Sequence, residues 1–321
     1  MHHFWKTSIQ ILVVALTGLG ATIAYRTGTA QTMLRSTHPL KIASVNQHSQ
    51  AGDTSYILLD QGQQRTYSLH TPPSYQPGQP MPLVLAFHGS GQQGKEMAAQ
   101  TGLNQLADQQ GFLVVYPNGL RQKWNVSGME AEDNVAFVPA LINHLKQRRT
   151  IDAQRIYAVG LSNGGFLVQK LACQQPNEIA AFATVAASLP IQFQTQCQSR
   201  TPIALLMING TADPIVPWQG GAPPQVHVGR NLSIPPIPQV ADFWQHHNLC
   251  SARPTMKQPS DRLEIFSYQN CQQASEVTLI ALKGAGHIWP GGAQGQSPYL
   301  NATQTVWDFF QRHSLTMAAR Q

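Results

Sequence analysis

The stretch RIYAVGLSNGGFLVQKLAC, Arg155–Cys173, runs from an apolar segment into a helix-like segment through one serine set between glycines. "RIYAVG" reads as a buried strand and "GGFLVQKLAC" as a helix. The turn between them is Gly160-Leu-Ser162-Asn-Gly164. A G-x-S-x-G frame alone is weak, since chance supplies one in roughly one chain of ten at this length. Strand, sharp turn and helix together form the setting in which a serine projects as a nucleophile. The turn strains the serine backbone, so Gly160 and Gly164 must be small enough for strand and helix to approach. The helix that follows adds unpaired N–H groups and a positive dipole end beside the hydroxyl.

Working outward, the chain alternates. "YILLD" and "RTYSLHT" are short alternating runs and read as an antiparallel pair at a sheet edge. "PLVLAF" (82–87) is continuously apolar, as in a strand buried on both faces. A helix-like stretch covers Gly94 to Gln110. Then follow "FLVVYP" (strand), "VAFVPALINHLKQR" (helix), the elbow, "AFATVAA" and "PIALLMING" (strands), "PQVADFWQHHNLC" (helix), "VTLIAL" (strand) and "ATQTVWDFFQRH" (helix). This alternation predicts an α/β fold with a mostly parallel, doubly wound sheet flanked by helices, as a single domain over residues 52–315. The Pro- and Gly-rich segment 217–239 is too long for an ordinary connection and reads either as a lid or as a surface loop.

A serine hydroxyl needs a base oriented by a carboxylate, which this type of sheet supplies in the order Ser, acid, His. Four aspartates follow Ser162. Asp213, in "LLMINGTADPIVPW", stands just past a buried strand, whereas Asp242 and Asp308 lie within helical runs and Asp261 in a polar hairpin region. Five histidines follow Ser162. His287, in "LIALKGAGHIWPGG", stands after the last buried strand in a Gly-rich loop that lets an imidazole lean back. An oxyanion needs preorganised N–H donors. Asn163 supplies one as the residue after the nucleophile. The other is expected from "LAFHGSGQQG", with Ser90 N–H as the donor beside His88. His88 is a candidate substrate contact, and Trp124, Trp218 and Trp289 stand in or next to these loops, as a substrate platform or as packing.

Hydrophobic residues make up 42% of the 321-residue chain and charged residues 11%, with a net charge of +6. The basic residues are scattered, which argues against a nucleic-acid surface. Lys6 followed by an apolar run from Ile9 to Ala24, with Gly28 and Ala30 before Gln31, reads as a secretory signal peptide over residues 1–30, with a membrane anchor as the alternative. Residues 31–51 read as a flexible leader and 316–321 as a tail. Export favours disulfides among the four cysteines, in the local pairing Cys173 with Cys197 and Cys250 with Cys271. Their spacing does not suit zinc, and no metal or cofactor is expected.

Taken in order, "HGSGQ", "YPNG", "WN", "GLSNGG", "NGTADPIVPW" and "GHIWPGG" resemble one α/β-hydrolase esterase family. It holds polyhydroxybutyrate depolymerase-like and feruloyl or acetylxylan esterase-like enzymes. The resemblance covers about residues 52 to 315 and implies a Ser162, Asp213, His287 triad with Ser90 and Asn163 at the oxyanion. The family often has Cys at the Ser90 position, and its paired Asp reads Asp133-Asn134 here. An ester substrate is implied, feruloyl or acetyl on polysaccharide, with a hydroxyalkanoate ester as the alternative. The chain ends soon after its last helix with no Thr- or Ser-rich linker, which favours a soluble or carbohydrate-attached ester over crystalline polymer. A serine peptidase or a non-catalytic binding protein would be the competing classes.

Overall fold

The computed structural model describes residues 51–125, 134–197, 199–221, 233–251, 253–292 and 297–315. The expected signal peptide, the leader up to residue 50, the tail and residues 222–232 of the long insertion lie outside the described residues. The strands in chain order are β1 (Gly52–Asp60), β2 (Gln63–Thr71), β3 (Met81–Phe87), β4 (Leu113–Pro117), β5 (Ile151–Leu161), β6 (Ala181–Val185), β7 (Leu205–Gly210), β8 (Thr255–Ser260), β9 (Leu263–Tyr268) and β10 (Val277–Leu282). They form one sheet in the order β1-β2-β4-β3-β5-β6-β7-β10-β9-β8. The strands from β4 through β3, β5, β6 and β7 to β10 are parallel to their neighbours. A β1–β2 hairpin closes one edge and a β8–β9 hairpin the other, both antiparallel. The first turns on Gln61 and Gly62, both at positive φ (48° and 78°), as a tight two-residue hairpin turn requires.

The helices are α1 (Gly94–Thr101), α2 (Leu103–Gln110), α3 (Asn134–Lys146), α4 (Asn163–Gln174), the single turn α5 (Ile191–Gln194), α6 (Ile237–His247) and α7 (Ala302–Phe310). Alternate strand residues face opposite cores. Leu83, Leu85 and Phe87 pack with Leu141 of α3, Leu167 and Leu171 of α4 and Trp244 of α6. Val84 and Ala86 pack with Met97 of α1, Leu106 of α2 and Val306 and Phe310 of α7. Apolar cover on both faces explains why the central strands read as continuous apolar runs. One expectation is corrected here. The run from Gly94 to Gln110 is two helices, because Gly102 adopts a left-handed conformation (φ 67°) that ends α1 and starts α2. The cysteines pair as Cys173–Cys197 and Cys250–Cys271.

From β3 the chain steps outward to β4, then returns to β5 and proceeds through β6 and β7 towards β10. The carboxyl ends of β3 and β5 therefore flank a reversal of strand order, where open α/β sheets bind their ligands. The first turn of α4 seals this point. A Cβ on Gly164 would collide with Phe87 O and lie 2.7 Å from His88 O at the end of β3. Neither backbone can yield without moving a buried strand. Gly164→Ala should cost about 3 kcal/mol, the upper end of the usual overpacking range. Thermal unfolding should show a Tm lower by about 6 °C or more for a domain of this size. An unchanged Tm would mean that strand and helix are not held this close.

Candidate active site

Ser162 is the hinge between β5 and α4. Its backbone takes φ 51° and ψ −120°, a conformation that side-chain-bearing residues rarely adopt. Two backbone bonds enforce it: Ser162 N–H donates to Val185 O (2.9 Å) and Phe166 N–H to Ser162 O (3.0 Å). A Cβ on Gly160 would strike the backbone of Gly164 and Gly165, so the glycines permit the crossing. The serine is 6% exposed, and its Oγ makes no hydrogen bond among the described residues.

Asp213 lies in the loop after β7 and His287 in the loop after β10, at the carboxyl edge where Ser162 leaves β5. The two loops are stitched together. Ala212 N–H donates to Ala285 O (2.9 Å), Thr211 N–H to Leu282 O (3.0 Å) and Gly284 N–H to Thr211 Oγ1 (2.9 Å). Gly210 lies so close to Ala285 and Gly286 that a Cβ would collide with their carbonyls. Within this frame His287 Nδ1 meets Asp213 Oδ2 at 2.7 Å. The other carboxylate oxygen, Oδ1, accepts from Ile215 N–H and Val216 N–H, each at 2.8 Å. The carboxylate is fixed on both sides, and His287 Nε2 is left without a hydrogen bond among the described residues.

The loop after β3 holds Ser90. Gly89 N–H donates to Gln92 Oε1 (3.1 Å), Gly91 N–H to Gln122 O (2.7 Å) and Gln92 N–H to Gly89 O (3.3 Å). Ser90 N–H is left without a partner among the described residues, which is what an oxyanion donor requires. Ser162 adjoins this loop, since a Cβ on Gly89 would lie 3.6 Å from the Ser162 Cβ. Asn163 opens α4 on the other side. Sequence reasoning selected Asn163 for its backbone only. Its side chain also grips Trp124: Trp124 N–H donates to Asn163 Oδ1 (2.6 Å) and Asn163 Nδ2 donates to Trp124 O (3.1 Å). Gln92 was not singled out in the sequence at all. Its only signal there was its place in "HGSGQ".

The expected substrate contacts divide. His88 is fully buried and both ring nitrogens are occupied: Gly119 N–H donates to Nε2 (2.9 Å) and Nδ1 donates to Gly89 O (2.7 Å). That pattern requires the neutral ring, and burial pushes its pKa below the ordinary value. Trp124, 2% exposed, donates its indole N–H to His88 O (2.9 Å), and Trp289, 1% exposed, donates to Thr303 Oγ1 (2.9 Å). His88, Trp124 and Trp289 therefore brace the loops from within and offer no surface to a substrate. Trp218, in the loop after Asp213, is half-buried and keeps an accessible flank. Asn134 is buried and accepts from Arg65 (3.0 Å), a structural use of that position. Among the described residues no cluster of three or more His, Cys, Asp or Glu could hold a metal ion, and no helix is long and apolar enough to cross a membrane.

Residues 65–215 match the family model described as Esterase PHB depolymerase. NocK of Nocardia uniformis subsp. tsuyamanensis is 29% identical over 261 residues, covering 75% of this chain and 75% of NocK. Feruloyl esterase B of Piromyces equi is 30% identical over 244 residues, covering 73% of this chain, which spans only 42% of that enzyme. In fold, the acetyl xylan esterase from Aspergillus awamori superposes with a TM-score of 0.58 at 14% identity, over 80% of this chain and 99% of that one. The chain has the α/β-hydrolase fold, is similar over residues 65–215 to the Esterase PHB depolymerase family, and is a carboxylic ester hydrolase.

Proposed function

We propose that the ester is cleaved through an acyl-enzyme, with Ser162 as nucleophile, His287 as base and Asp213 as its orienting carboxylate. The Asp213–His287 pair at 2.7 Å, standing at the sheet edge where the strained Ser162 emerges, carries this reading. With Nδ1–H committed to Asp213, the neutral ring has its lone pair on Nε2. Nε2 takes the Ser162 proton as Oγ bonds to the ester carbonyl carbon. Asp213 steadies the imidazolium, and the Ser90 and Asn163 amides receive the oxyanion. Collapse breaks the carbon–oxygen bond to the alcohol, which leaves with the proton from Nε2. Water, deprotonated by the same nitrogen, then releases the acid and restores Ser162.

The substrate we propose is a feruloyl or acetyl ester on a plant-type polysaccharide, a reading that the feruloyl esterase relatives support. The family-model match favours a hydroxyalkanoate oligoester as the second reading. Of the aromatic side chains considered, Trp218 has the surface to flank a ring or sugar. Two disulfides and the N-terminal sequence support export to an oxidising compartment. Methyl ferulate, acetylated xylan and hydroxybutyrate oligomers assayed side by side would rank the substrates.

Ser162→Ala should lower kcat on p-nitrophenyl acetate by at least about 10⁴-fold, and Asp213→Asn by about 10⁴-fold with the fold intact. Near wild-type turnover in Ser162→Ala would end the nucleophile assignment. His88 generates a separate pH prediction, because its neutral ring bridges the Ser90 loop. Its folded-state pKa lies below the ordinary 6.5, so the unfolded chain binds the proton first as pH falls. Its contribution to stability is whole above pH 6.5 and declines as pH falls towards the folded-state value. Wild-type Tm should therefore drop more than that of His88→Gln on acidification from pH 7, and parallel curves would exclude this linkage.

A further inference from the structure

We infer that Trp124 is a positioning residue for ester cleavage, a bridge that holds the Ser90 and Asn163 amides at a fixed separation. The inference rests on the oxyanion reading proposed above. The two amides come from opposite sides of the strand reversal: Ser90 follows β3, whereas Asn163 follows β5. The β3–β5 ladder ends at Phe87 and Gly160, and the close approach of Gly164 reaches only Phe87 and His88, so the Ser90 loop beyond them needs a further tie to Asn163.

Trp124 makes the link through separate parts of one residue. Its main chain is held by the Asn163 side chain at both N–H and C=O, at 2.6 and 3.1 Å. Its indole N–H holds His88 O at 2.9 Å, two residues before the Ser90 amide. The neighbouring main chain reinforces the link, because Gly119 N–H and Gln122 O bond to His88 Nε2 and Gly91 N–H at 2.9 and 2.7 Å. His88, Trp124 and Asn163 are each at most 2% exposed, so water cannot substitute for a lost bond cheaply. Any buried tryptophan needs a partner for its indole N–H, as Trp289 has in Thr303. What sets Trp124 apart is that this partner is the His88 carbonyl while its own peptide is gripped at both N–H and C=O by the Asn163 side chain.

The two roles separate experimentally. Trp124→Phe keeps the aromatic bulk and deletes the indole N–H. Asn163→Ala keeps the backbone amide that receives the oxyanion and deletes the grip. With p-nitrophenyl acetate, each variant should lose about 10- to 100-fold in kcat, with KM within about twofold of wild type. Affinity for phenylboronic acid, which forms a tetrahedral adduct on the serine, should fall by the same factor as kcat. Since both changes break one bridge, the double variant should lose little more than the worse single one. Wild-type kcat and boronate affinity in both single variants, with Ser162→Ala inert, would overturn the bridge while sparing the esterase reading. Fully additive losses would overturn it as well. Turnover surviving in Ser162→Ala would remove the nucleophile assignment and this inference with it. If Trp124→Phe does not fold, Asn163→Ala decides alone, because it leaves the indole in the core.

Discussion

The backbone of Ser162 is the constraint on which the rest turns. A non-glycine residue held at φ 51° and ψ −120° costs about 1–3 kcal/mol. It persists because the surroundings allow nothing else. Its amide is committed to β6 and its carbonyl to the first turn of α4. No side chain at 160 or 164 can be fitted between the crossing backbones. The same tight crossing brings α4 against the end of β3, which places Asn163 and the Ser90 loop on either side of the serine. Chain geometry at one residue thus sets the relation among elements more than 70 residues apart in sequence.

Around this hinge the parts are held mostly by neutral groups. His88 bridges two loops as an uncharged ring, Gln92 and Asn163 act through amides, and Trp124 through indole and peptide. Neutral donors and acceptors lose far less on burial than ions do, and each pair is satisfied by geometry that the backbone already supplies. The Asp213 carboxylate is the exception, and it is buried at 4% exposure only with its oxygens bonded to two amides and an imidazole. A charge so enclosed is useful where positive charge develops transiently on a neighbouring ring.

Much of this was legible in sequence because it depends on period and order. Continuous apolar runs announced the doubly covered strands, and the glycines around Ser162 announced the crossing. Asp213 and His287 were found as polar residues just beyond buried strands. What was not legible depends on which way a side chain points once the layers are packed. Trp124 and Trp289 sit in or beside motif loops and read equally well as contacts or as packing, and His88 read as a contact; burial made all three supports. The break at Gly102 was hidden because Met97, Leu103 and Leu106 keep a helical spacing across it, and a left-handed residue leaves no trace in a hydrophobic pattern. The β8–β9 segment read as a polar hairpin region without delimited strands, since β8 is exposed along most of its length and carries no apolar alternation to mark its bounds.

The site is assembled from two stitched halves. One consists of the loops after β3 and β4 with the start of α4, joined through Trp124. The other consists of the loops after β7 and β10, joined by the bonds between residues 211–212 and 282–285. Within each half the described groups are tied at 2.6–3.1 Å. Between the halves, the step from Ser162 Oγ to His287 Nε2 has no hydrogen bond in place among the described residues, and such contacts commonly tighten only when substrate is bound. In the proposed mechanism, stiffness inside each half has a specific value: an ester carbonyl settling between the Ser90 and Asn163 amides would fix its carbon relative to Ser162, and only the position of the imidazole would remain to be adjusted. Proton transfer is sensitive to displacements well below an ångström, so concentrating the freedom in one contact keeps the rest of the geometry from drifting as that contact closes.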